Sequence, residues 1–307
     1  MQQKIVFDTN SLSQICPVEQ RESYILLGQK LQEAKDFEDK LHHMNDEDHE
    51  WDKLQIQLDC TPHNIKNSKY IIVRHALAWH NYFKRATEFR DRNIYSYELM
   101  DPPLHYLGKK QCEKMRPEIN QIEFDRVYIS PLLRTIQTAQ LLFQDHPQKD
   151  QIKFILCPHI SEKISSQYSI YKWGNLTNIL QDVQSESFNQ NNSPIKFDIS
   201  ELPFEKEFWQ FVLIGKQEKI QGLKPCKEDQ EQFLVNKFVK KGQNITLEKT
   251  KHAEKRVKVF LEKFKNNQTN SKIGIVSHSQ IIKLILSQTN KIVETKIRNG
   301  TVIGIDI

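Results

Sequence analysis

Arg74 and His75 stand side by side directly after the apolar run Tyr70-Ile71-Ile72-Val73, with Asn81 seven positions beyond Arg74. An adjacent guanidinium and imidazole suit a phosphate group. The planar guanidinium can hold two oxygens at once, and a neutral imidazole keeps a lone pair free to attack phosphorus. Standing alone, the pair reads equally well as a strand reaching solvent. Two further basic residues occupy comparable places. Arg134 follows the apolar run Arg126 to Ile129 and the joint Ser130-Pro131, and His278 closes the run Lys272 to Ser277.

The elements that must carry these residues can be read from pattern. Runs of β-branched and aromatic residues that stop abruptly at charge read as buried strands opening onto a site. Ser130 is a suitable N-cap and Pro131 a suitable first helical residue, which would set Arg134 about one turn into a helix whose N–H groups favour an anion. A helical run, Ser279 to Ser287, follows His278. Open α/β sheets bind ligands outside the carboxyl ends of their strands. Three strand ends spread over about two hundred residues thus deliver Arg74, His75, Arg134 and His278 to one edge.

This constellation resembles the histidine phosphatase superfamily, the phosphoglycerate mutase-like enzymes. The family's Arg-His-Gly motif stands here as Arg74-His75-Ala76, and Trp79-His80-Asn81 is similar to the version found in its fungal and plant phosphatase-like branch. The likeness continues through Asp101-Pro102-Pro103-Leu104, Gly108-Lys109-Lys110-Gln111 and the Ser130 to Ala139 block, and returns at Glu162, the strand before His278, and Asn299. It covers roughly 68–307, loosely over 165–245. The resemblance implies that His75 is the nucleophile, forming a phosphohistidine that water then hydrolyses. Arg74, Arg134 and His278 would hold the phosphoryl oxygens, Asn81 would add an uncharged donor, and Glu162 would be the acid that protonates the leaving oxygen. Residues 163–171 lack the acidic, glycine-containing continuation usual after that acid, and His105 replaces a common Thr, where it is expected to cap the following helix. No cofactor and no metal are implied.

The fold expected is α/β: a three-layer α/β/α sandwich with a mostly parallel central sheet, an insertion over the active site and an N-terminal helical extension. The domain division is an extension at 1–67 and a phosphatase domain at 68–307, with a lid-like insertion at about 165–245. Within that insertion Gln181 to Ser193 reads as a polar loop, and Phe204, Phe208, Trp209, Phe211 and Phe233 as helical core packing. Tyr24, Leu27, Leu31, Ala34, Phe37 and Leu41 mark an amphipathic helix at 22–41 that could pack on the domain, dock a partner or pair with a second copy.

Composition excludes several classes. A net charge of +5 from 44 basic and 39 acidic residues in 307 is too small to imply nucleic acid, and no apolar run approaches the ~20 residues needed to cross a bilayer. Five scattered cysteines without a Cys-x-x-Cys read as reduced thiols of a cytoplasmic protein. The cluster His42 to His49 follows no zinc spacing and reads as a solvated helix end. Ile5 to Asn10, similar to one strand of a PIN-type nuclease, has no domain's worth of sequence behind it.

The reading expected is a metal-independent phosphomonoesterase acting on a small phosphorylated metabolite. A phosphoglycerate mutase-type phosphotransferase is the alternative within the family, disfavoured because Ala76-Leu77-Ala78 replaces the mutase continuation. A phosphate-binding or scaffold protein on the same fold is the alternative outside catalysis.

Overall fold

The computed structural model describes residues 65–86, 100–172, 194–203, 208–216, 226–234, 248–264, 271–292 and 297–306, with 180, 221–222 and 224. The helix expected at 22–41, the His42 to His49 cluster, the run at Ile5, the 181–193 loop and Phe204 lie outside the described residues.

Six strands, β1 (Tyr70–Arg74), β2 (Phe124–Ile129), β3 (Lys153–Leu156), β4 (Phe197–Asp198), β5 (Lys272–Ser277) and β6 (Val302–Ile305), form one sheet in the order β4-β3-β2-β5-β1-β6. Every pairing is parallel except that of β6 with β1. The central strands are apolar at successive positions because both faces are covered. Alternate residues point to opposite faces. Ile71, Val73, Val127, Ile129, Phe154, Leu156 and Val276 join one core, with α2 (Tyr106–Ile119) and α3 (Leu133–Phe143) supplying Met115, Ile119, Ile136 and Leu142. Tyr70, Ile72, Tyr128, Ile155, Ile273 and Ile275 join the other core. There α6 (Thr250–Glu262) brings Val257 and Phe260, and α7 (Ser279–Gln288) brings Ile281 and Ile285. The two cores define helix, sheet and helix layers, as expected from the strand patterns. Each such side chain contributes roughly 1.5–3 kcal/mol on burial, so both layers are held by many comparable terms.

Three shorter helices complete the described elements: α1 (Trp79–Ala86), α4 (Trp209–Leu213) and α5 (Lys227–Leu234). Trp209, Phe211 and Phe233 are buried in the first core beside Tyr171, so the aromatic stretch packs as core. The 165–245 region also adds β4 to the sheet edge.

Two helix starts differ in outcome. His105 caps α2 as expected, its Nδ1 accepting from the Leu107 N–H at 3.1 Å. The start of α3 needs a correction. The helix begins at Leu133, with Leu132 in the N-cap position and no bond from its own side chain, so Ser130 is not the cap and Pro131 is not helical. The cap comes from Asp101, whose Oδ1 accepts from the Leu133 N–H at 2.9 Å across 32 residues of sequence. The Ser130 hydroxyl is engaged elsewhere, 2.7 Å from His278 Nε2.

Candidate active site

Because β1, β2, β3 and β5 are parallel, their carboxyl ends share one edge. The chain leaving each strand is pinned to its neighbour: His75 N–H donates to the Ser277 carbonyl at 2.9 Å, Ser130 N–H to Val276 at 3.0 Å, and Cys157 N–H to Ile129 at 2.8 Å. His75 and His278 are thereby placed at the ends of paired strands, and Arg134 follows as the second residue of α3, whose start is capped by Asp101.

The loop after β1 is then tied down by buried polar side chains. Ala76 N–H donates to Thr138 Oγ1 at 3.1 Å, Leu77 N–H to Gln111 Oε1 at 2.8 Å, and the His105 N–H to the Leu77 carbonyl at 3.0 Å. Gly108 lets α2 approach this loop; a Cβ there would run into the Leu77 carbonyl. From the other side Asn299 Nδ2 reaches the His75 and Ala76 carbonyls at 3.3 and 3.4 Å. Buried amides and hydroxyls are satisfied in this way because an unpaired one would cost about 1–3 kcal/mol.

The rings of His75 and His278 lie 5.1 Å apart, both fully buried or nearly so. His75 Nδ1 is 2.8 Å from the Ala76 carbonyl. A carbonyl can only accept, so Nδ1 carries the hydrogen and the lone pair is on Nε2. Burial, then the charges of Arg134 and Arg74, hold the His75 pKa well below its ordinary value, against a smaller opposing effect of the Ala76 bond. Burial and the same two arginines do likewise to His278, with His75 contributing as well. Both rings are therefore neutral near pH 7.

Arg134 is buried among acceptors. Its guanidinium donates to the Tyr168 carbonyl at 3.1 Å and lies 3.5 Å from Asp101 Oδ1 and 3.8 Å from Glu162 Oε2. Burial lowers its pKa and the two carboxylates oppose that, which leaves an arginine charged at any ordinary pH. Glu162 Oε2 also lies 3.3 Å from His278 Nδ1. Arg74 is partly buried and donates to the Ile297 carbonyl at 3.0 Å. The structure thus gathers His75, His278, Arg134, Arg74 and Glu162 at one edge of the sheet. Asn81, by contrast, bonds within the protein. Its Oδ1 accepts from Asn299 Nδ2 at 3.0 Å and from Ala78 N–H at 3.3 Å, and its Nδ2 lies 2.9 Å from His80 Nε2.

Three participants were missed as site residues by sequence reasoning. Asp101 is buried, has φ of 36° immediately before a proline, and its pKa is raised to about 6 because burial outweighs the attraction of Arg134 and the Leu133 bond. Its signal was an aspartate before Pro-Pro, a residue type that tolerates the left-handed region. Ser130 was read as a cap. His80, buried and stacked on Tyr168 with centroids 5.2 Å apart, also lies 6.0 Å from the His75 ring. Only a contact across 88 residues reveals that pair.

His75, Glu162 and His278 each offer one potential metal-ligand atom, all within 4.8 Å of one another. The donor types would serve zinc. Two guanidinium charges act on the same imidazoles, however, which repels a cation and favours an anion.

Residues 70–162 match the family described as the histidine phosphatase superfamily (branch 1), so that part of the chain is similar to this superfamily. Among solved structures, a candidate alpha-ribazole-5'-P phosphatase from Escherichia coli K-12 is similar at 16% identity and TM-score 0.38, over 71% of this chain and 77% of that one. The ecdysone phosphate phosphatase from Bombix mori, in complex with tungstate, is similar at 12% identity and TM-score 0.39, over 74% and 80%. No curated protein matches the chain. Among the described residues no helix is long and apolar enough to cross a membrane.

Proposed function

We propose that this protein hydrolyses phosphate monoesters of small molecules through a phosphohistidine on His75, without a resident metal. The observation that carries the reading is the fixed tautomer of His75, with its Nε2 lone pair among two arginines and a second neutral histidine. In the first step Nε2 forms a bond to phosphorus as the bond to the leaving oxygen breaks, and Glu162 gives that oxygen its proton. In the second, water attacks the phosphohistidine, Glu162 takes a proton from it, and inorganic phosphate leaves with His75 restored. Arg74, Arg134 and His278 stabilise the equatorial oxygens, where charge spreads in the transition state.

The two guanidiniums supply the positive charge that a metal would supply elsewhere, which supports chemistry without one. Burial of both histidines supports a phosphate on a small carrier in preference to one on a folded protein surface. The deciding assay is hydrolysis of 4-nitrophenyl phosphate by the full chain in excess chelator. Turnover that persists with chelator and disappears in His75→Ala is the expected result. Turnover that chelator abolishes would overturn the metal-free reading, and no turnover above the His75→Ala background would favour a phosphate-binding protein.

A further inference from the structure

Glu162 sits on a short loop outside the strand ladder. Beyond β3 the chain passes through a 3-10 turn (Pro158–Ile160), then Ser161, Glu162, Lys163 and Ile164. This loop is nevertheless fixed at both ends by a buried ion pair. Glu248 and Arg256 are 1% and 6% exposed and meet in a bidentate pair, Nε to Oε1 at 2.7 Å and Nη2 to Oε2 at 3.1 Å. Each partner also grips the loop. Arg256 Nη1 donates to the His159 carbonyl at 2.6 Å, three residues before Glu162. Glu248 Oε2 accepts from the Ile164 N–H at 3.1 Å, two residues after it, and the Glu248 N–H donates to the Ile164 carbonyl at 3.0 Å. A third hold comes from Ser277 Oγ, which donates to the Ile160 carbonyl at 2.8 Å.

We infer that Glu248 and Arg256 are positioning residues for the proton donor, setting the reach of Glu162 without touching substrate; this rests on the reading of Glu162 as the acid. A buried ion pair is a poor stabiliser compared with apolar packing of the same volume, so its presence here calls for another use. The pair satisfies three backbone groups of one loop at once, the His159 carbonyl and the Ile164 N–H and carbonyl. It also makes the position of Glu162 depend on α6, an element that carries none of the residues proposed to hold the phosphoryl group. Proton delivery needs the donor within about 2.6–3.2 Å of the leaving oxygen, and a loop loosened by an ångström loses that reach without disturbing His75.

The test compares substrates that differ in their need for the acid. Kinetics of the wild-type full chain, Glu162→Gln, Glu248→Gln and Arg256→Lys are measured on 4-nitrophenyl phosphate and on a series of phenyl and alkyl phosphates of rising leaving-group pKa. Arg256→Lys keeps the charge but cannot bridge Glu248 and His159 with a fork, so it reports even where Glu248→Gln folds poorly. The expected result is a steeper dependence of kcat/KM on leaving-group pKa in both pair variants. About tenfold should be lost on alkyl phosphates and under twofold on 4-nitrophenyl phosphate. In combination with Glu162→Gln the pair variants should add no further selective loss. Equal losses on all substrates, or none, in Arg256→Lys would overturn the inference while leaving the acid reading intact. A Glu162→Gln enzyme with no leaving-group dependence would instead overturn the acid reading itself.

Discussion

The two halves of the site are built by different means. The half proposed to hold the phosphoryl group has His75 and His278 at the ends of parallel strands whose backbone ladders continue past the last strand residue, with Arg134 in the first turn of the helix that follows β2. The half proposed to supply the acid, Glu162, hangs on a loop held by side chains from Glu248, Arg256 and Ser277. Backbone ladders are indifferent to side-chain identity, whereas a side-chain clamp is lost with one substitution. The first half should therefore fail mainly when a reacting or ligating group is removed or its backbone is pushed aside, and the second half should fail from a distance.

The largest effect that would break this contrast belongs to the first half. His75→Ala removes the nucleophile and should cost three orders of magnitude or more in kcat, roughly as in other nucleophile deletions, with little change in the fold. Circular dichroism alongside the phosphatase assay checks both statements. Next in size, Glu162→Gln should cost about 10²–10⁴ in kcat/KM on an alkyl phosphate and little in kcat/KM on 4-nitrophenyl phosphate, whose leaving group needs no proton. A uniform loss on both substrates would assign Glu162 to phosphate binding.

A third change separates packing from chemistry. Gly108→Ala places a methyl against the Leu77 carbonyl, in the loop that begins at His75. Stability should fall by about 1–3 kcal/mol, with a matching fall in kcat, because the phosphoryl half is rigid only as long as this approach is possible. Chemical denaturation and initial rates on one preparation would measure both.

Smaller still is the pH response of stability. His75 and His278 titrate in the folded protein well below 6.5, while the unfolded chain takes up their protons near 6.5. The unfolded state then binds more protons as pH falls below about 6.5. Stability is lost in that direction, by at most about 1.4 kcal/mol per pH unit for each imidazole. Asp101 opposes this. Its carboxyl is protonated in the folded protein at about 6 and ordinarily only at 3.8, so it adds stability as pH drops through that window. Thermal midpoints between pH 7.5 and 5 should therefore fall, and should fall more steeply in Asp101→Asn. That substitution should itself be nearly neutral at pH 7, since burial already disfavours the charged carboxyl. Asp101→Ala, which strips the cap from Leu133, should cost about 1 kcal/mol.

What the sequence made legible divides along the same line. Strands β1, β2 and β5 announce themselves as apolar runs cut off by charge, and parallel pairing then obliges their ends to meet, so the gathering of His75, His278 and Arg134 at one edge was legible. The cap of α3 could not. Ser130 and Pro131 carry the local signal for a helix start, but a contact between Ser130 and His278 and a carboxylate from Asp101 decide the matter through space. Asn81 was expected to face phosphate by its offset from Arg74, and its bonds to Ala78, His80 and Asn299 depend on a loop conformation no spacing encodes. The Glu248 and Arg256 clamp was invisible for a related reason. Two charged residues eight apart near a lysine-rich helix look solvated until the helix is packed on the loop after β3.

The central claim is a covalent bond between phosphorus and His75, and it can be observed directly. The full chain is mixed with a phosphate monoester carrying labelled phosphorus, quenched in alkali within milliseconds, digested and sequenced by mass spectrometry. The account predicts an alkali-stable, acid-labile phosphate on His75 in the wild type, more of it in Glu162→Gln with an aryl phosphate, and none in His75→Ala. Phosphate on any other residue, or rapid turnover with no labelled protein at the earliest times, would contradict it.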